Sequence, residues 1–234
     1  MNFANNSNFI SSGSGINNES SLHKDIKKYL MAEGDIFEGK LEGYIIDIIR
    51  GDSLIEIQTK NFSAIRNKLR VLLEKHKITL VYPIYIEKLI IRYDKDNNII
   101  SRRKSPKKGT LLDIFNELIR IPDLLLIDNL KIQLLVITVE EKQIADGKGS
   151  WRRKGVSIVD RTLISVRDNL LIHEASELLA LFDFSFDGIF STKDFSLTTK
   201  INITSVRKII YCLNKLCLIK QVGKTGNLIL YSRT

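Results

Sequence analysis

The sequence predicts an α/β fold, a mixed sheet flanked by helices, followed by a smaller and mostly helical C-terminal unit. Three observations lead there. Residues 44–59 form two β-branched runs around Gly51-Asp52, apolar on both faces, so the hairpin they predict belongs in a sheet covered on both sides. A strand, a helix and a strand then follow in order, which favours a right-handed crossover and a parallel pair. Beyond residue 160 helical segments dominate. At 234 residues and 44% hydrophobic, the chain has enough material for two packed units, placed at 19–160 and 161–234. Residues 1–18 are Asn, Ser and Gly with few hydrophobes, a tail that cannot bury enough surface to order itself.

Leu22, Ile26, Tyr29 and Leu30 recur at helical spacing, with Ser20 or Ser21 as cap and Gly34 as stop. Residues 36–41 read as a first strand and the hairpin follows. Asn61 can cap a helix running to about Lys75, with Phe62, Ile65, Leu69 and Leu72 inward and Arg66, Lys68 and Arg70 largely outward. Residues 78–83 are again a strand, 87–93 and 99–103 a second hairpin, 110–121 a helix and 131–143 a strand. A glycine-bounded basic turn at 147–155 carries the only Trp, and 156–159 returns from it as a strand. Helices at 175–182, 192–200 and 204–216 precede a hairpin of 219–222 and 228–232. Three helices and a two-stranded wing describe a winged helix, in which Ser205, Arg207, Lys208 and Asn214 face DNA and Lys220 and Lys224 reach phosphates. The same fold also serves protein contacts.

The chemistry concentrates on the first hairpin. With Gly51-Asp52 as a two-residue loop, Arg50 faces Ser53, Ile49 faces Leu54 and Asp47 faces Glu56. Cross-strand Cβ atoms stand roughly 5 Å apart, so two carboxylates there repel unless a cation answers them. Gln58 shares the face of Glu56, and the three polar groups converge as the outline of a metal site. The plainer alternative is a half-exposed hairpin whose acids point to water. Glu19 and Asp25 near the first helix are either first-turn acids favouring the helix dipole or a third carboxylate.

A net charge of +9 and a pI near 9.4 point to a polyanion. Arg102, Arg103, Lys104, Lys107 and Lys108 run without an intervening acid, and Arg152, Arg153 and Lys154 follow Trp151. Two such runs beside an acidic metal site favour a nucleic-acid backbone. Cys212 and Cys217 read as small core hydrophobes, and His23, His76 and His173 are scattered, each a surface or satisfied histidine. The chain shows no apolar run of membrane-spanning length, no signal-peptide pattern and no phosphate-cradling glycine motif, so a cytoplasmic protein without a membrane partner is expected.

Glu19, then Asp47, then Glu56-Ile57-Gln58 on the next strand, then a basic helix and a parallel strand, resembles the restriction-endonuclease-like (PD-(D/E)XK) nuclease superfamily over residues 19–83. The resemblance implies magnesium, or manganese, held by Asp47, Glu56, the Ile57 carbonyl and Glu19, with Gln58 in the position usually occupied by a water-orienting Lys. Gln brings no positive charge to that position; Lys60, Arg66 or Lys88 are the candidates to supply it. The chain is also similar to an uncharacterised prokaryotic family carrying a Glu-Ile-Gln-Thr-x-Asn-Phe-Ser segment, a Lys-Ser-Pro-Lys turn, a Trp-Arg-Arg turn and a C-terminal winged helix. The expectation is a magnesium-dependent DNA endonuclease placed on DNA by its winged helix, for which a homodimer would suit two-strand cutting. The rival is a non-catalytic DNA-binding regulator or adaptor on a nuclease-like fold; a nucleotide-handling enzyme ranks behind both.

Overall fold

A computed structural model describes residues 20–234; the expected tail at 1–18 and Glu19 lie outside the described residues. Helix α1 (Ser21–Leu30) starts at Ser20, whose hydroxyl caps the His23 amide. It is followed by β1 (Ile36–Leu41), β2 (Tyr44–Arg50) and β3 (Ser53–Ile57). Glu42 and Gly43 both adopt positive φ, as a two-residue type I′ loop requires, and Gly51 does so at the head of the β2–β3 turn. A short 3-10 turn leads into α2 (Arg66–Leu73), then into the long β4 (Lys77–Tyr93). β3 and β4 pair in parallel, Ser53 opposite Lys77 through Ile57 opposite Val81. Strands β5 (Ile99–Lys104), β6 (Leu130–Ile144) and β7 (Ser157–Ile172) complete a seven-stranded mixed sheet in the order β1-β2-β3-β4-β6-β7, with β5 also paired to β4.

Two expected strands, 78–83 and 87–93, are one. Pro83 argues against a central strand because it lacks an N–H, yet it sits where β3 has ended and β5 has not begun, paired only with Leu135 of β6. Val81 and Tyr85, of the same strand parity, turn their carbonyls to the Gln58 and Gly109 amides at 2.9 and 2.7 Å. The N–H that Pro83 lacks would therefore point into that gap rather than at β6.

The helix expected at 110–121 is a 3-10 turn running into the short α3 (Phe115–Leu118). The unit boundary expected at 160/161 falls inside β7, which pairs with β6 along its whole length, so the sheet runs on to Ile172. Alternation in β7 is interrupted by three register shifts, which hid the strand beyond Val159. After it come a 3-10 segment (Ala175–Leu181), β8 (Phe190–Ser191), α4 (Thr192–Thr199), α5 (Ile203–Lys215) and the hairpin of β9 (Ile219–Thr225) and β10 (Leu228–Arg233), with β8 and β9 flanking β10.

The sheet is covered on both faces, as expected. Leu22 and Ile26 of α1 pack on Ile48, Ile57, Val81, Leu135 and Val139. On the other face, one continuous core joins Leu69 and Leu72 of α2, Phe115 and Leu118 of α3, and Phe195, Val206 and Ile209 of the C-terminal elements. Phe115 and Phe182 stand 5.4 Å apart at that junction, and Phe182, Phe184, Phe186, Phe190 and Phe195 stack edge to face around it.

Candidate functional site

The β2–β3 register holds as expected for Arg50 with Ser53, Ile49 with Leu54 and Ile48 with Ile55, and then departs. Asp47 does not pair with Glu56. Its Oδ2 instead accepts the Ile57 amide at 2.8 Å, an N–H that a regular ladder would give to Ile46. On the other side Glu38 stands opposite Asp47 with φ of 51°, and this pair is skipped in the β1–β2 ladder. Ile46 and Ile48, two apart, consequently pack in different cores. This local break turns the Asp47 carboxylate toward α1, although its charge still reaches Glu56.

There Asp47 Oδ1 lies 3.1 Å from His23 Nε2 and 3.8 Å from Lys27 Nζ; Lys27 also reaches Glu38 at 3.2 Å. Burial pushes the Asp47 carboxyl up, but the hydrogen bond and charge of His23, the Ile57 amide and Lys27 together hold it below the usual carboxylate range. Glu56, only 4% exposed, goes the other way. Burial first and the Asp47 charge second push its pKa up to about 7, against a partial pull from Lys68. Lys68 Nζ sits 2.5 Å from Glu56 Oε1 and donates to the Ile45 carbonyl at 2.6 Å. Lys68 was expected outward; its spacing from Ile65 and Leu72, three and four residues, already put it on the buried face of α2.

Gln58 does not join the carboxylates. Its amide nitrogen donates to the Lys60 and Asn61 carbonyls at 2.6 and 3.3 Å, bracing the turn into α2. Among the described residues, no three His, Cys, Asp or Glu side chains gather where a metal ion would be held. Asp25, expected as a dipole acid or third ligand, accepts the Leu163 amide of β7 at 2.9 Å and so ties α1 to the sheet.

A cleft of about 730 Å³ opens beside His23, between α1, the β3–α2 turn, β4 and the first residues of β7. Lys60, Lys88 and Arg161 line it with Tyr82 and Tyr85. Lys88 Nζ and Arg161 Nε meet on Glu141 Oε2 at 3.1 and 2.9 Å, and Gln143 bonds its Oε1 at 2.7 Å. Burial works against the Glu141 charge, but Gln143, Arg161 and Lys88 hold its pKa down. The two cations are thus fixed by a buried anion. Glu141 faces Arg161 directly across β6–β7. Arg161 and Glu141 carried no signal in the sequence because that part of β7 was not expected to be a strand, and His23 was set aside as scattered although it flanks the apolar stripe of α1.

The remaining basic residues divide. Arg66 binds Asp123 together with Arg70, at 2.8 and 2.7 Å, and is therefore engaged within the fold rather than offered to a ligand. Arg102, Arg103 and Lys104 lie exposed on β5, Lys104 beside Glu87 at 3.0 Å, and Lys107 and Lys108 are exposed after it. Arg152, Arg153 and Lys154 are exposed at the β6–β7 tip. In α5, Arg207 is exposed, Ser205 is drawn into the cap formed by Asn202, and Lys208, half-exposed, donates to the exposed Asn116 of α3 at 2.7 Å and is thus held across the surface to α3. Lys224 is exposed on β9. No helix among the described residues is long and apolar enough to cross a membrane.

No solved structure matches the chain. An uncharacterized protein of Treponema pallidum (strain Nichols) is 34% identical over 152 residues, which cover 64% of this chain and 61% of that protein; the chain thus spans less than two thirds of its relative's length. The matched family model covers residues 20–173, from the cap of α1 to the end of β7, and takes in His23, Asp47, Glu56, Lys68, Glu141 and Arg161 together. The chain belongs to the family described as Domain of unknown function (DUF8091).

Proposed function

We propose that the chain is a metal-dependent nuclease of the restriction-endonuclease-like kind, acting on DNA. The observation that carries this reading is the pair Asp47 and Glu56: two carboxylates on neighbouring strands, close enough that burial and the charge of Asp47 raise the Glu56 pKa, with His23, the partner of Asp47, lining a cleft that also holds Lys60, Lys88 and Arg161. A divalent cation would relieve that electrostatic conflict. The donor set, carboxylate oxygens without thiolate, suits magnesium or manganese. Asp47 and Glu56 would hold the ion, with Glu19 and the Ile57 carbonyl proposed beside them. When bound, such an ion supplies an activated water and neutralises charge on the phosphate. Lys68 supplies the positive charge that Gln58 lacks, from α2 rather than from the strand. Lys60, Lys88 and Arg161 seat the phosphates on either side.

The order of the C-terminal elements, a 3-10 turn, β8, α4, α5 and the β9–β10 hairpin, supports a winged helix that presents Arg207 and Lys224 to duplex DNA. Supercoiled plasmid with magnesium or manganese tests the reading. The wild type nicks; Asp47→Ala and Glu56→Ala lose at least about 100-fold while still binding plasmid. Lys68→Met loses on the order of 100-fold in rate. Unchanged nicking in both carboxylate variants would refute the assignment. One observation favours a second reading, a DNA-binding platform without catalysis: the Gln58 amide is committed to the turn at Lys60 and Asn61. Plasmid binding with neither metal uptake nor nicking would establish that alternative.

A further inference from the structure

The β6–β7 hairpin ends in a tip that the proposed nuclease chemistry does not use. Trp151, the only Trp of the chain, stands there 83% exposed even with the Arg152 guanidinium 5.7 Å from its ring. Leaving an indole in water forgoes the favourable burial of a large apolar ring, and the turn holds it there. Gly149 N–H donates to the Gly155 carbonyl at 3.1 Å, Lys154 N–H to Trp151 at 2.9 Å, and the Arg153 Nε to Val156 at 3.1 Å. Lys154 and Gly155 take positive φ to close the turn. A Cβ at Gly149 would stand 1.9 Å from the Val156 carbonyl oxygen, so the crossing leaves no space for a side chain. Asp146 is the one acid between Ala145 and Val159, and its carboxylate is taken by the Lys148 amide and the Ser157 hydroxyl, both at 2.9 Å. Arg152, beside the indole, and Arg153 and Lys154, which follow it, are all exposed, and no acid lies among residues 147–159. From this tip β7 descends directly into the cationic cleft, which Ile158, Val159, Asp160 and Arg161 line.

We propose that this tip is an aromatic wedge: Trp151 stacks on an unpaired base of a DNA strand while Arg152, Arg153 and Lys154 hold the adjoining phosphates, directing that strand along β7 into the cleft. A cation cluster alone reads any polyanion; an exposed indole among cations matches a chain of phosphates and flat bases. The inference rests on the reading of DNA as partner. It names single-stranded or locally opened DNA as the form engaged.

Because the chain has a single Trp, its fluorescence reports on the wedge alone. The full-length protein, without added metal, is titrated with an oligo-dT 12-mer, heparin and anionic phospholipid vesicles, and oligonucleotide affinity is read separately by anisotropy of a labelled strand. The expected result is strong quenching by oligo-dT and little by heparin or vesicles. Trp151→Ala then weakens oligonucleotide binding about 5- to 150-fold, the span of one stacked base, and Trp151→Phe retains most of it. Tight oligonucleotide binding with no quenching, or with Trp151→Ala unchanged, overturns the wedge and leaves the DNA reading standing. Equal quenching by heparin reduces the tip to a polyanion contact and also overturns it, as does a blue shift with vesicles alone, which marks a lipid surface. Absence of any nucleic-acid binding overturns both readings.

Discussion

Asp47 and Glu56 are similar carboxylic acids placed in unlike surroundings, and the difference lies in their partners. Asp47 receives the Ile57 amide, His23 and Lys27, while Glu56, more deeply buried, receives one ammonium and the Asp47 backbone amide against the repulsion of the Asp47 charge. Glu56 is an acid whose folded pKa is raised, so its stabilising effect is complete below about pH 4.5 and is lost as pH rises toward 7. Between those values the unfolded chain gives up the proton and the folded chain keeps it. The loss is on the order of 3 kcal/mol. Urea unfolding of Glu56→Gln without metal should lack that slope and show a protein more stable than wild type at pH 8. Lys68→Met should cost on the order of 2 kcal/mol at pH 8, where it leaves a buried charge without its ammonium, and much less at pH 5, where Glu56 is neutral. Equal losses at both pH values would show that Lys68 acts through packing alone.

At the scale of elements, the strands carry the site by their irregularities. A regular β2 would set Asp47 beside Glu56; the break at Glu38 and Asp47 sends it to α1. A continuous β4 with Pro83 in its open stretch leaves the Val81 and Tyr85 carbonyls to bond the chain at Gln58 and Gly109, so both loops cross the same edge. The β6–β7 tip depends on Gly149 in the same way. Gly149→Ala should open the turn, seen as faster amide exchange at 149–156, and should lower oligonucleotide affinity as Trp151→Ala does. Its global stability should change by less than about 1 kcal/mol, because the tip buries little. A large fall in the unfolding midpoint would show instead that the tip is part of the core.

For the whole molecule, the consequential fact is the shared core. Phe195, Val206 and Ile209 belong to one apolar cluster with Leu69, Phe115 and Leu118, although the matched family model ends at residue 173. The C-terminal elements are therefore packed onto the sheet rather than tethered to it. Calorimetry should give a single transition, and Phe195→Ala should shift the entire unfolding curve by about 3–5 kcal/mol. Two resolved transitions, with only the smaller displaced, would mean independent units. The same docking places Lys208 against Asn116 and leaves Arg207 as the exposed base of that helix turn.

The β-branched runs around Gly51-Asp52, the alternation of strands and helices and the helical spacing after residue 173 determined, by themselves, the class of the fold, most element boundaries and the position of the acidic hairpin. These are properties of neighbouring residues, and short-range periodicity records them. Only the tertiary structure decided which groups meet. His23 with Asp47, Lys68 with Glu56, and Lys88 and Arg161 on Glu141 join residues 12 to 53 positions apart, through strand register, a local break in alternation and the packing of helices on opposite sheet faces. Those partnerships follow from the cost of burying a charge alone. Chain neighbours cannot express that cost before the fold brings its answer alongside.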